Sequence, residues 1–369
     1  MLKVDVALKE KSYPILVGKD ILKDTGRFFK KRGAFNSHVL IVSQKEIAAL
    51  YGKLVTDSLA KEGFQVSSFI VPVKKSSEEA KSHTVFWNLI RGLASLDGKG
   101  KTLALLALGG GVMGDLTGFA AAVYRRGIPY VQVPTTLTAQ VDSAIGGKTA
   151  IDLPQGKNLL GVIYQPFLVL SDTAVLGSLP DRHWSDGFAE VIKYGVIKDP
   201  LLFTLLEKHG LSGIRANAGL LENVIFRCAK IKARIVERDE SDKKDIRITL
   251  NFGHTAGHAI ESVSGFSKRY THGEAVAIGM LVATDIAARL GVLKDTSLAK
   301  RLEKTLVKFS LPLFYKGLSE EAILKAISYD KKTQDGKNRF VLPVTLGKVL
   351  IRKDVPSAVI MEALRKRKG

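Results

Sequence analysis

The stretch TLALLALGGGVMGDLTGFAAAVY, Thr102 to Tyr124, carries a single charge, Asp115, in 23 residues. Read as one helix it is long and apolar enough to cross a bilayer, and Gly110, Gly114 and Gly118 have the small-xxx-small spacing of packed membrane helices. Three consecutive glycines, Gly109 to Gly111, would break that helix at its centre. A β-rich run before them and helix formers after them read instead as strand, tight turn and helix. We therefore expect a βα unit and no membrane partner.

Neighbouring segments repeat the unit. HVLIVS (His38 to Ser43), FQVSSFIV (Phe64 to Val71) and YVQVPTT (Tyr130 to Thr136) are β-branched runs separated by helical patterns, which predicts a parallel, Rossmann-like sheet with ligands beyond the carboxyl ends of its strands. After residue 180 the pattern becomes helical: Phe188 to Ile197, Leu220 to Glu237, His254 to Val263, Glu274 to Leu290 and Leu298 to Phe309. The fold class expected is α/β, with an N-terminal parallel-sheet domain over 1–179 and a mostly α-helical domain over 180–369. The length of 369 residues, at about 150 per domain, agrees with two.

Composition removes several classes. The only cysteine, Cys228, excludes intrachain disulfides and thiolate metal clusters and points to a reducing compartment, the cytoplasm. The amino terminus alternates Val4, Val6 and Leu8 with polar residues, a strand pattern without a secretory apolar segment. Lys and Arg number 56 against 36 Asp and Glu, a net charge of +20 that attracts anions. Those charges are scattered. Only Arg365 to Lys368 runs to four consecutive basic residues, and no basic helix interleaved with aromatics exists, so no nucleic-acid partner is expected.

Four groups of residues carry chemistry. The turn Leu108 to Asp115 offers backbone N–H groups at a helix start, where an anion binds, although a tight turn alone would also use these glycines. It lies too far into the chain for the usual dinucleotide fingerprint. VPTTLTAQVDSAIGGKTAIDLPQGKNLLGVIYQP, residues 133–166, sets Thr135, Thr136, Asp142, Lys148, Lys157 and Asn158 in loops rich in Gly and Pro. Its GGKT lacks the P-loop frame, so the lysines read as phosphate ligands or as surface charges. His254 and His258, four apart, share a helix face, and His272 opens a second helix; without H-E-x-x-H, a metal site and a packed pair both remain open. Glu190, on an apolar helical pattern three residues before Lys193, reads either as a metal ligand or as an i, i+3 ion pair.

Together, GGGVMGD, RRGIPYVQVPTTLTAQVDSAIGGKTAIDLPQGKN, GFAEVIKYG, NFGHTAGHAIE and HGEAVAIGM resemble, in order and spacing over nearly the whole chain, the 3-dehydroquinate synthase family of sugar-phosphate cyclases. The resemblance implies a carbon–oxygen lyase of the shikimate pathway to aromatic amino acids. It would convert 3-deoxy-D-arabino-heptulosonate 7-phosphate to 3-dehydroquinate and phosphate, with one NAD reduced and reoxidised each turnover. Oxidation at C5 acidifies the C6 proton, phosphate leaves from C7, hydride returns, and the opened ring closes by an intramolecular aldol step. By the same resemblance Glu190, His254 and His272 hold zinc or cobalt, which polarises the hydroxyl first oxidised.

NAD is implied on Gly110, Gly111, Val112, Met113, Gly114 and Asp115, with Glu78, Lys81, Thr135, Thr136, Leu176, Gly177 and Ser178 around it and Asp142, Lys148 and Lys157 shared with substrate. The phosphorylated, carboxylated substrate is implied to meet Asp142, Lys148, Lys157, Asn158, Lys193, Lys232, Arg247, Asn251 and His258, the last as a phosphate-side or proton-relay group. A homodimer is implied in which Arg126, next to Arg125, reaches the neighbour's phosphate. A late phosphate-binding cation matches Lys332 or Arg339. Ser43 stands where the family commonly has an acid for the NAD ribose. The competing readings are another sugar-phosphate cyclase and an NAD- and metal-dependent alcohol or glycerol-type dehydrogenase, which would have no reason to gather phosphate-binding cations.

Overall fold

The structure is a computed structural model that describes residues 1–33, 37–73, 77–98, 102–265, 269–330 and 338–369. The chain forms two compact units, Met1–Leu179 with Cys228–Ser241, and Pro180–Arg227 with Asp242–Gly369. The sequence suggests one boundary at 179/180; packing returns Cys228–Ser241 to the first unit, where Lys232 pairs with Asp142 and Glu237 accepts from the Ala7 amide.

Among the described residues, nine strands belong to the first unit: β1 (Leu2–Val6), β2 (Tyr13–Gly18), β3 (Ser37–Gln44), β4 (Gln65–Val71), β5 (Thr102–Gly109), β6 (Tyr130–Pro134), β7 (Lys148–Leu153), β8 (Gly156–Ile163) and β9 (Leu168–Asp172). Seven form one sheet in the order β1-β2-β9-β6-β5-β3-β4, parallel except for the β1–β2 pair. Alternate residues of β3 and β5 face opposite sides: Val39, Ile41, Ala104 and Leu106 enter one core, and Leu40, Val42, Leu103 and Leu105 the other. A sheet covered on both faces needs such unbroken apolar runs, which is why these strands were readable in the sequence. The Thr102 to Tyr124 stretch is β5 followed by the helix Gly111–Val123. Among the described residues, no helix is long and apolar enough to cross a membrane.

The segment expected as loops over 133–166 is only partly so. β7 and β8 form an antiparallel hairpin, because TAIDL and LLGVI supply β-branched and apolar residues on either side of a short Pro-Gln-Gly turn. Lys148, Lys157 and Asn158 therefore sit on strands.

The second unit holds helices Asp181–Ile197, Pro200–Arg215, His254–Val263, His272–Arg289, Leu298–Lys308, Glu320–Asp330 and Ser357–Lys366, with a hairpin of β10 (Arg339–Thr345) and β11 (Lys348–Lys353). The helix Ala218–Arg238 has residues in both units. The helix Pro200–Arg215, absent from the sequence reading, starts with proline at its first position under an Asp199 cap that accepts from the Leu202 amide.

Residues of the basic run at the carboxyl end pair with acidic side chains. Arg367 is 2% exposed and bonds Asp285 (2.5 Å) and Glu303 (2.7 Å), Lys366 pairs with Asp285, and Lys368 with Glu320. Asp285, itself buried, lies on His272–Arg289, so the last residues hold that helix from its far end. Removing one member of a buried pair strands the other charge. Arg367→Ala is expected to cost about 3 kcal/mol in urea unfolding, at the low end for such pairs because Lys366 still reaches Asp285. An unchanged midpoint would show that the latch carries no stability.

Candidate active site

In the second unit, Glu190, His254 and His272 each present one donor atom, and the three donors lie within 4.8 Å of one another. They come from three helices. Glu190 lies mid-way along Asp181–Ile197, 1% exposed; His254 and His272 are the first residues of their helices. Both imidazoles point Nε2 at Glu190 Oε1, at 3.3 Å each.

Glycine makes this approach possible. A Cβ on Gly279 would lie 2.0 Å from the Gly253 carbonyl oxygen, so the two histidine-bearing helices touch through their backbones there. Gly273 is held on Asp181–Ile197 in the same way: its N–H donates to Asp186 Oδ1 at 2.5 Å, and a Cβ would lie 2.2 Å from the Asp186 carbonyl oxygen. A capping box fixes the start of His272–Arg289, Thr271 and Glu274 exchanging hydrogen bonds, and Arg182 clamps Glu274 through two contacts.

The electrostatics suit a cation. Burial opposes ionisation of Glu190, but Lys193 and His254 outweigh it and hold its carboxyl well below the ordinary range. His254 is lowered chiefly by burial, which favours the neutral, donating imidazole. Burial also opposes the charge on His272, yet hydrogen bonds with Glu190 and Glu261 raise it to about 10, so protons compete with a metal there. Two imidazoles and a carboxylate form a donor set that zinc takes in catalytic sites, leaving a position for substrate. The i, i+3 alternative is also present, since Lys193, 1% exposed, pairs with Glu190. Ion pair and donor cluster coexist.

His258 packs its ring 5.2 Å from that of His254 and 5.8 Å from that of His272, outside the donor group and exposed to solvent. Arg247 is buried at the start of the turn Arg247–Asn251, and Asn251 is exposed. Arg339 is paired with Asp245 at 2.8 Å, while Lys332 lies outside the described residues.

The first unit gathers the other residues on the carboxyl edge of its sheet. The turn after β5 starts the helix Gly111–Val123, and Thr135, following β6, donates its N–H to the Gly109 carbonyl. Close packing alone requires these glycines: a Cβ on Gly111 would lie 2.8 Å from Ser143 Oγ and one on Gly114 2.6 Å from Gln132 Oε1. Glycine is therefore no proof of a ligand. More telling, the hydroxyls of Thr135 and Ser143 are buried beside this turn with no hydrogen-bond partner among the described residues, an arrangement that awaits a polar ligand. Thr136 flanks Gly110, its Cγ2 being 3.1 Å from where a Cβ there would stand.

Lys81 is the charged hub of this edge. It is 3% exposed, bonds Asp115 at 2.8 Å, lies 3.7 Å from Glu78 and 3.9 Å from Asp152, and donates to Asn158. Burial opposes its charge, but Asp115 and Glu78 raise its pKa; burial pushes Asp115 up to about 6 against the pull of Lys81. Lys157 approaches Glu78 at 3.9 Å, and Lys148 with Asn158 lines a cavity whose wall includes Asp115 and Thr149. Lys232, nearly buried, pairs with Asp142 at 2.8 Å. Leu176 to Ser178 form a turn beyond β9, where Tyr51 donates to Ser178 Oγ.

Ser43 is fully buried and donates to the Leu108 carbonyl at 2.8 Å, and Gln44 follows it as the last residue of β3. Arg125 and Arg126, adjacent in sequence, differ in setting: Arg125 is held by Asp97 at 2.7 Å, while Arg126 is exposed, with left-handed φ of 49° and 64°.

Residues 71–186 match the model described as 3-dehydroquinate synthase N-terminal, and residues 187–333 the model described as 3-dehydroquinate synthase C-terminal. The chain belongs to the 3-dehydroquinate synthase family. It is 42% identical over 362 residues to 3-dehydroquinate synthase of Desulforamulus reducens, covering 98% of this chain and 99% of that one, and 43% identical over 361 residues to that of Syntrophotalea carbinolica, covering 98% of each. Among solved structures it resembles 2-epi-5-epi-valiolone synthase of Streptomyces hygroscopicus with NAD+ and Zn2+ bound (TM-score 0.85, 28% identity, 98% of each chain). It also resembles 2-deoxy-scyllo-inosose synthase in complex with carbaglucose-6-phosphate, NAD+ and Co2+ (TM-score 0.85, 25% identity, 99% of this chain and 100% of that one). Glycerol dehydrogenase of Schizosaccharomyces pombe, at 17% identity and TM-score 0.65, shares the fold alone.

One residue the sequence reading passed over, Glu261, joins the histidines: its Oε2 is 3.3 Å from His272 Nδ1. It falls three and seven positions after His258 and His254, on one helix face, so the spacing already held the signal. Since Gly279 sets how closely the two histidine helices meet, Gly279→Ala is expected to cost about 1–3 kcal/mol of stability, as overpacking does. Zinc measured per folded chain should also fall; full occupancy with wild-type stability would refute the close-approach argument.

Proposed function

We propose that this chain converts 3-deoxy-D-arabino-heptulosonate 7-phosphate into 3-dehydroquinate and inorganic phosphate in the shikimate pathway, using NAD and a divalent metal. The observation that carries the reading is the convergence of Glu190, His254 and His272 in a member of this family. The relatives crystallised with NAD+ and Zn2+ or Co2+ support the same cofactors. In this reading 1–179 is the NAD-binding α/β domain and 180–369 the metal- and substrate-binding domain.

A bound metal would serve as a Lewis acid toward the substrate hydroxyl. Bound NAD would supply reversible hydride transfer from and back to the substrate's C5, with no net redox change. The chain's residues do the remainder. Glu190, His254 and His272 hold the metal. The turn Gly110, Gly111, Val112, Met113, Gly114 and Asp115 cradles the dinucleotide diphosphate, with the unpartnered hydroxyl of Thr135 beside it. Glu78, Lys81, Thr136 and the Leu176, Gly177 and Ser178 turn complete that site.

Lys148, Lys157 and Asn158 bind the phosphate that leaves, and Lys232 and Arg247 bind the carboxylate. Asp142, held by Lys232, orients substrate hydroxyls together with Asn251. Lys193 stabilises negative charge on substrate oxygen, and His258, exposed beside the donor cluster, relays the proton on the phosphate side. The assembly proposed is a homodimer in the cytoplasm. Arg126, exposed and turned out by its left-handed backbone, would reach the partner's phosphate; Arg125 is already engaged.

The test supplies the heptulosonate phosphate, NAD and zinc or cobalt while phosphate and NADH are followed together. Phosphate release without NADH accumulation is the expected result; stoichiometric NADH would identify a dehydrogenase instead. Lys148→Ala should lose about 10–100-fold in kcat/KM, the scale of one lost charged hydrogen bond, and a dehydrogenase would be indifferent to it. Removing the metal with a chelator should abolish phosphate release, and zinc or cobalt should restore it.

A further inference from the structure

Both imidazoles of the donor cluster are braced on the side away from Glu190, and by different means. His254 Nδ1 lies 3.2 Å from the Phe252 carbonyl oxygen, an uncharged acceptor contributed by its own chain two residues back. His272 Nδ1 lies 3.3 Å from Glu261 Oε2, a carboxylate 9% exposed on the other histidine helix. In each ring the braced Nδ1 can donate, because carbonyl and carboxylate oxygens only accept, and a ring that keeps its single proton there would offer the Nε2 lone pair to a metal.

We propose that Glu261 is a positioning residue for the metal site: it fixes the tautomer and ring plane of His272 and adds a second negative charge beside the cation. The inference rests on the reading that Glu190, His254 and His272 hold a divalent ion. Two features single out this carboxylate, whose Oε2 meets His272 Nδ1 at 3.3 Å. It is anchored mid-helix in His254–Val263, the helix that starts at the other histidine, so one rigid element sets His254 and braces His272. His272 needs such a brace more than His254 does, since its side chain is 35% exposed against 12%. Partners of this kind beyond the ligands change metal affinity by about 10–100-fold in other sites.

The experiment is a cobalt titration of metal-stripped protein, followed by the visible absorption of bound Co2+ and by competition with a chelator, on wild type, Glu261→Ala, Glu261→Gln and His272→Ala. Circular dichroism checks folding. Glu261→Ala is expected to bind about 10–100-fold more weakly, with an altered cobalt spectrum. Glu261→Gln should fall between, because its amide oxygen still accepts from Nδ1 but carries no charge. If both folded variants bind within twofold of wild type with the wild-type spectrum, the proposal is overturned while the metal site stands. If Glu261→Ala does not fold, Glu261→Gln decides, a loss above threefold supporting the proposal and a smaller one overturning it. Failure of wild type to bind cobalt, or tight binding retained by His272→Ala, would instead defeat the metal reading itself.

Discussion

A carboxylate that is 1% exposed, with an ammonium one helical turn away and two imidazoles facing it, sets the terms for the second unit. An isolated charge in that position would take up a proton or stay in water. Glu190 does neither, because three helices approach closely enough to surround it with donors. The approach is bought with side chains left out: glycine at 253, 257, 273 and 279 removes the Cβ atoms that would hold the helices apart. Much of the local sequence NFGHTAGHAIE and HGEAVAIGM is therefore about backbone proximity, and the histidines follow from where that proximity puts the helix starts.

The first unit solves a different problem with the same economy. A parallel sheet turns every strand's carboxyl end to one edge, so the turns after β4, β5, β6 and β9 bring Lys81, the glycine turn, Thr135 and the Ala174–Ser178 turn to that edge without any long-range design. Lys81 keeps several carboxylates together by remaining charged while buried. The glycines illustrate why a motif reading alone is ambiguous: Gly111 and Gly114 are needed for packing whether or not a diphosphate binds, and only the unpartnered hydroxyls beside them distinguish the two cases.

What the sequence showed clearly was what depends on local periodicity. The strands at 38–43, 64–71, 102–108 and 130–136 and the later helices are readable because burial on one or two faces writes itself into the order of apolar residues. The β7–β8 hairpin was hidden by its glycines and prolines, which raised the loop signal over a stretch that still carries β-branched runs. The ion pairs of the basic run at 365–368 were not readable because its acidic partners, Asp285, Glu303 and Glu320, lie 48 to 82 residues away. Glu261 is the instructive miss, since its face was readable from spacing and only its partner, eleven residues on in the next helix, was not.

Charge accounting ties the donor cluster to the proposed chemistry. With neutral imidazoles, Glu190 and Glu261 contribute two negative charges, which a divalent ion cancels, and the ammonium of Lys193 then leaves the site with one positive charge in excess. Such a site stabilises an oxygen more strongly as its negative charge develops, so the interaction is greater in the transition state than in the ground state. A hydroxyl losing its proton fits that requirement. The same sum explains why a histidine braced by a carboxylate belongs beside a buried glutamate and a lysine: without Glu261 the positive excess would be two, and the anions drawn in to compensate would compete with the substrate for the same few ångströms.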